Sequence, residues 1–132
     1  MLDSICASAT RSGFISEVDH QRLKAAFGER FERATKSVEE TRVKRYTFQP
    51  SGRVVWVVVG REKEYEILPK AEYCSCDDFY FHVISTDSEY CYHLIAQKLA
   101  DALGMAGLVQ EGDEFYDSLL NEWRRQALRA SS

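Results

Sequence analysis

The sequence contains no run approaching the ~20 consecutive apolar residues that a membrane helix needs. Its N-terminus has neither the basic start nor the unbroken apolar stretch of a secretory signal. These absences predict a soluble intracellular protein, in the cytoplasm or in the nucleus or nucleoid, with no membrane partner. Cysteine is scarce, four residues in 132, and three of the four fall in one metal-like pattern, which fits a reducing compartment better than a disulfide scaffold. There is no internal repeat, low-complexity tract, phosphate-binding glycine loop or nucleophile elbow. Adjacent carboxylates such as Asp77 and Asp78 point apart on an extended chain, and nothing nearby supplies a cleft or a raised pKa. They read as solvated loop acids, and the chain is expected to have no enzymatic activity.

Basic residues are missing from one part of the chain. Residues 71 to 122 hold a single base, Lys98, against eleven acids, whereas residues 40 to 70 hold seven bases against four acids; the net charge is −4. A module that grips nucleic acid presents lysine and arginine to phosphates, since neutralising phosphates supplies most of the sequence-independent affinity. Any direct nucleic-acid surface would therefore come from Arg42, Lys44, Arg45 and Arg53, with Arg61 and Lys63, or from the C-terminal arginines.

Within the acidic stretch lies the densest chemistry in the chain. Cys74 and Cys76 form C-x-C, Cys91 and His93 form C-x-H, and fourteen residues separate the pairs. Three sulfurs and one imidazole complete a tetrahedral zinc shell with no position left for water or substrate, which makes the site structural. On extended chain, residues two apart point to the same side, so Cys74 and Cys76 can reach one ion. On a helix they point to nearly opposite sides, so the helix that follows must begin near Cys91. There the positive end of the helix dipole helps to hold a thiolate. The competing readings are a redox pair or disulfide for C-x-C and an unlinked core residue for His93. His82 is the rival ligand, but it sits in an aromatic run and lacks a closely spaced partner. Cys6 has no nearby partner and reads as a bystander thiol.

The pattern C-x-C, variable insert, C-x-H-x-x-A resembles the SWIM-type zinc finger, with Ala96 as the trailing alanine. Over residues 42 to 100 the likeness extends to small stand-alone SWIM proteins, typified by the SWIM subunit of Shu-type complexes. Its signs are a preceding helical segment, a hairpin turn of Pro50-Ser51-Gly52-Arg53, then Tyr73-Cys74-Ser75-Cys76, an aromatic-rich insert and a helix. The resemblance implies one structural zinc and a RecA-type recombinase paralogue as partner. It also implies a role in homologous recombination and DNA repair, with any contact to DNA made through the complex. SWIM domains joined to larger enzymes imply the alternative, direct binding of nucleic acid.

Taken in order, a chain of this length makes one small domain. Residues 1 to 18 read as a loose leader, interrupted at Gly13. Leu23, Phe27, Phe31, Ala34 and Val38 make one apolar stripe on a helix over 19 to 40, with Asp19 as N-cap. The stripe is expected to pack on the protein's own core, the rival reading being a partner-binding helix. Residues 43 to 48, 54 to 59 and 64 to 68 read as a three-stranded antiparallel meander. Its middle strand, Val54-Val55-Trp56-Val57-Val58-Val59, is apolar on both faces and so is expected at the centre. Residues 77 to 84 fit a short strand or a helical turn equally, and 85 to 88 a loop. Helices are expected over 90 to 103, closed by Gly104, and over 113 to 129, capped by Asp113 and striped by Phe115, Leu119, Leu120, Trp123 and Ala127.

The fold class expected is α+β: a small antiparallel meander, a zinc-finger core over 42 to 104 that joins sheet to helix, and flanking helices. Phe79, Tyr80 and Phe81, between the ligand pairs, are candidate partner-binding residues, the rival reading being that all three are core.

Overall fold

The computed structural model describes residues 1–76 and 90–128. The elements run α1 (Leu2–Ser12), α2 (Glu17–Phe27), α3 (Glu29–Glu39), β1 (Val43–Gln49), β2 (Arg53–Val59), β3 (Glu64–Leu68) and β4 (Tyr73–Cys74), followed by α4 (Tyr92–Leu103), β5 (Gly107–Gly112) and α5 (Tyr116–Ala127). The fold is α+β, with the strands in the order β4-β3-β2-β1-β5.

The antiparallel meander β1–β2–β3 forms as its pattern predicts, with Tyr46 opposite Val55 and Trp56 opposite Ile67. Two short strands extend it. β4 pairs antiparallel with β3, and β5 pairs parallel with β1, Tyr46 opposite Val109. Residues 107 to 112, Gly-Leu-Val-Gln-Glu-Gly, escaped the sequence reading because a short run with a glycine at each end carries little periodicity.

The middle strand feeds two cores. Trp56 and Val58 face a cluster with Val43, Ile67 and helices α1 to α4, while Val55 and Val57 face Phe48, Tyr46 and Trp123 of α5. Alternation sends successive side chains of one strand to opposite faces, so an all-apolar run needs a cover on each.

Three expectations need correction. Residues 2 to 12 are a helix and not a loose leader: Leu2, Ile5 and Ala9 are buried, spaced three and four apart, and α1 packs on α4. Gly13 closes this helix at φ 86° and does not interrupt it, its N–H donating to the Ala9 carbonyl at 2.7 Å. The helix over 19 to 40 is two helices, because Gly28 adopts φ 57°, ψ −125°, a conformation closed to L side chains. Its N-cap is Ser16, whose Oγ accepts from the Asp19 N–H at 3.2 Å. The stripe itself is buried at Leu23, Phe31, Ala34 and Val38, so it packs on its own core.

The C-terminal helix also starts later than its pattern suggests. Asp113 opens a single 3-10 turn, and its carboxylate accepts from the Ser51 N–H (3.0 Å) and hydroxyl (2.6 Å) in the β1–β2 turn. Phe115 lies in that turn, outside the helix, and stays 48% exposed.

Candidate metal centre

Cys74 reaches the site at the end of the β3–β4 ladder, opposite Ile67. The reversal before it is a 3-10 turn over Pro69–Ala71, ended by Glu72 in the left-handed region (φ 51°). Ser75 continues the pairing, donating its N–H to the Glu66 carbonyl at 3.1 Å, and Cys76 then bends inward. From the other direction Cys91 is the N-cap of α4, in extended conformation (φ −78°, ψ 168°), with His93 in the first turn. Helix α4 begins where the ligand spacing requires. It is anchored there by Leu94, Ile95 and Leu99, all buried against the sheet and the other helices.

The structure brings all four residues together. Their ligand atoms lie within 4.8 Å of one another and all four side chains are buried. Zinc–sulfur bonds of about 2.3 Å place tetrahedral ligand atoms about 3.8 Å apart, so small adjustments close this cluster around one ion. The imidazole supplies an independent test. Both Nδ1 and Nε2 of His93 are buried without a hydrogen-bond partner among the described residues, an arrangement that costs free energy unless a metal takes one of them. Protonation points the same way. The Cys91 sulfur accepts hydrogen bonds from the Cys74 and Cys76 thiols and lies beside His93, which holds it as thiolate despite burial. Burial, with hydrogen bonds to Cys76 and Cys91, pushes Cys74 well above the usual thiol range. Three buried sulfurs cannot all ionise without a cation, and zinc is the cation this donor set fits. The chain carries one structural zinc site.

Apart from Tyr92, the middle residue of C-x-H, the surrounding residues come from outside the ligand pairs. The His93 ring makes tilted contacts with Tyr65 on β3 (centroids 4.3 Å apart) and with Tyr92 (3.9 Å). Helix α3 holds the residues on either side of Cys91: the Arg33 guanidinium lies 4.3 Å over the Tyr92 ring, and Arg30 donates to the Tyr90 carbonyl at 2.7 Å. Sequence reading missed these two arginines. Their spacing of three on one helix was visible, but their partners lie about 60 residues away. The rival ligand His82 and the insert residues Phe79, Tyr80 and Phe81 lie outside the described residues. Cys6 is not part of the ligand cluster; its thiol donates weakly to the Lys98 carbonyl at 3.7 Å, and burial pushes its pKa up to about 11.

The four hairpin bases are spread over the sheet. Arg42 pairs with Glu40 at 2.8 Å and donates to the carbonyls of Val59 and Gly60 at 3.3 Å. The Lys44 side chain lies over Gly107, where an added Cβ would come within 2.9 Å of Lys44 Cδ. Arg53 stacks over Tyr116 at 4.5 Å, and Arg45 is exposed. No helix among the described residues is long and apolar enough to cross a membrane.

No protein-family model matches the chain. Among curated proteins, it is 32% identical over 110 residues to the zinc finger SWIM domain-containing protein 7 homolog of Dictyostelium discoideum, covering 82% of this chain and 70% of that one. It is 31% identical over 130 residues to zinc finger SWIM domain-containing protein 7 of Homo sapiens, covering 96% and 92% respectively. An uncharacterized protein of Archaeoglobus fulgidus is 31% identical over 103 residues, 78% of this chain and 80% of its own. With the ligand cluster in place and relatives matched along most of their length, the chain belongs to the SWIM-type zinc finger proteins, in the family of zinc finger SWIM domain-containing protein 7.

Proposed function

We propose that this chain is a non-enzymatic interaction subunit that binds a RecA-type recombinase paralogue and supports homologous recombination and DNA repair as part of a Shu-type complex. The observation that carries this reading is the closed, buried Cys3His cluster between the end of the sheet and the start of α4. A shell with all four ligands supplied by protein offers no place for substrate, so the ion acts as a brace. It ties down both ends of the segment between the ligand pairs, which lowers the ordering cost of presenting that segment to a partner. Charge supports the same reading, since one base against eleven acids over residues 71 to 122 suits a protein partner better than phosphates. The identity of the partner rests on the resemblance to stand-alone SWIM subunits, and Phe79, Tyr80 and Phe81 remain the proposed contact residues. The chain acts in the cytoplasm or the nucleus or nucleoid, and reaches DNA through the complex.

Purification of the tagged chain from its native cells tests the proposal. A RecA-type ATPase should co-purify from wild type and be lost from Cys76→Ser; its absence from wild type would overturn the reading.

The second reading is direct binding of nucleic acid, favoured by the seven bases against four acids over residues 40 to 70, of which Arg45 and Arg53 are exposed but alternate to opposite faces of the sheet. Arg42 and Lys44 are less suited, being engaged or half-buried. Titration with single-stranded DNA at physiological salt should show weak binding that collapses as salt rises. Nanomolar affinity that survives loss of Arg42, Lys44 and Arg45 would count against this assignment of the surface.

A further inference from the structure

We propose that Ser75, the residue between the first two ligands, is a positioning residue for the metal. Its hydroxyl takes the place of its own carbonyl in the β3–β4 ladder, freeing the chain to turn Cys76 onto the ion. The inference depends on the zinc site and not on what the chain binds.

Strands β3 and β4 pair Leu68 with Tyr73 and Ile67 with Cys74, so the next pair is Glu66 with Ser75. In an antiparallel ladder a hydrogen-bonded pair exchanges two N–H to carbonyl bonds. Here one of the two is regular, the Ser75 N–H donating to the Glu66 carbonyl at 3.1 Å. The other is replaced: the Glu66 N–H donates to Ser75 Oγ, also at 3.1 Å. The chain bends immediately afterwards, at Cys76. A strand that kept its carbonyl in the ladder would run straight past the site. A strand that turned without the hydroxyl would leave the N–H of Glu66, a residue only 5% exposed, with no acceptor. Serine satisfies both demands, and its side chain alternates away from those of Cys74 and Cys76, so it does not crowd the ion.

The strand that Ser75 grips is itself held from the opposite face. Arg124 of α5 pairs with the Glu66 carboxylate at 3.4 Å, and Trp123 Nε1 donates to the Glu64 carboxylate at 2.8 Å. The C-x-C knuckle is thus referenced to a strand that cannot readily shift. Residues that orient metal ligands through hydrogen bonds commonly tune affinity without touching the ion.

The test uses the full zinc-loaded chain and three variants, S75A, S75T and S75V. Threonine keeps the hydroxyl on a strand-compatible branched side chain, and valine has the same shape without it. The expected result is zinc transfer to a competing chelator roughly tenfold to hundredfold faster in S75A and S75V, with S75T close to wild type. The Glu66 amide should exchange with deuterium faster in step with zinc loss in S75A and S75V, and should stay protected in S75T. Cobalt-loaded S75A should retain the absorption of a tetrahedral three-sulfur site, since the ligands are intact. Chelator half-lives of S75T and S75V within twofold of each other would overturn the proposal. So would rapid exchange of the Glu66 amide in zinc-loaded wild type, a measurement that needs no variant to fold.

Discussion

The two faces of the sheet are joined to their helices by different means. On the α5 face, the buried polar groups find protein partners. Trp123 Nε1 bonds Glu64 at 2.8 Å, the Gln126 side-chain oxygen accepts from the Glu64 N–H at 2.7 Å, and Glu66 meets Arg124 at 3.4 Å. Aromatic packing does the rest, with Trp123 edge-on to Tyr46 at 4.9 Å and Tyr116 edge-on to Phe48 at 5.1 Å. On the α4 face, the larger core ends in a cluster of three sulfurs and a histidine whose two nitrogens have no partner among the described residues. One face is complete as protein, and the other is completed by an ion. The difference teaches that an unpartnered buried imidazole marks a ligand's place when it lies among three sulfurs; His20 Nδ1 and Gln97 Oε1 are also buried without partners but have no such donor set around them.

That contrast can be broken or sharpened by experiment. The largest effect should come from the metal itself. Cys91→Ser, or zinc removal by chelation, should abolish stoichiometric zinc and cost on the order of 10 kcal/mol. That is comparable with the whole stability of a small domain, about 5–15 kcal/mol. Metal analysis and thermal melting report it; full zinc content and an unchanged melting temperature in Cys91→Ser would show that the α4 face does not depend on the ion.

The matching probe of the other face is Trp123→Ala. It empties a fully buried site and leaves Glu64 without its donor, and should cost about 3–5 kcal/mol. The folded fraction should still hold one zinc per chain. Denaturant melts run alongside zinc titration would show this, and coupled loss of zinc would mean that the two faces act as one unit.

The smallest effect concerns Cys6, which shares the α4 face without sharing the metal. Burial raises its pKa from 9.0 to about 11, so below pH 9 the folded protein holds roughly a hundredfold less thiolate there than a free cysteine does. Alkylation should be correspondingly slow. Because the folded state favours the protonated thiol, its contribution is complete below pH 9 and is lost as pH rises from 9 towards about 11. Cys6→Ala should remove that alkaline loss and keep one zinc per chain. Rapid alkylation at pH 8 would show that burial does not suppress the thiolate, and loss of zinc in the variant would tie Cys6 to the metal site.

Much of the zinc site was readable from residue order alone. Ligand chemistry is local: C-x-C needs extended chain, C-x-H needs a helix start, and both constraints follow from where side chains point over two residues. The burial of β2 between two covers followed from its unbroken apolar run, and the α+β class from the change of period along the chain. Gly28 was equally visible in the sequence, yet a stripe continuing across it suggested one helix. The left-handed turn that splits α2 from α3 depends on how each half packs, which periodicity does not record.

What the sequence determined by itself was the donor set, its order, and the kinds of backbone that could present it. What only the tertiary structure decided was everything that acts across distance. This includes the docking of α1 on α4 and the parallel pairing of β5 with β1. It includes the tilted contact of Tyr65 with His93, and the grip of Arg30 and Arg33 on the residues beside Cys91. The physical reason is that each of these contacts is stabilising only once the chain has closed a long loop to make it, and no local pattern encodes which loop will close.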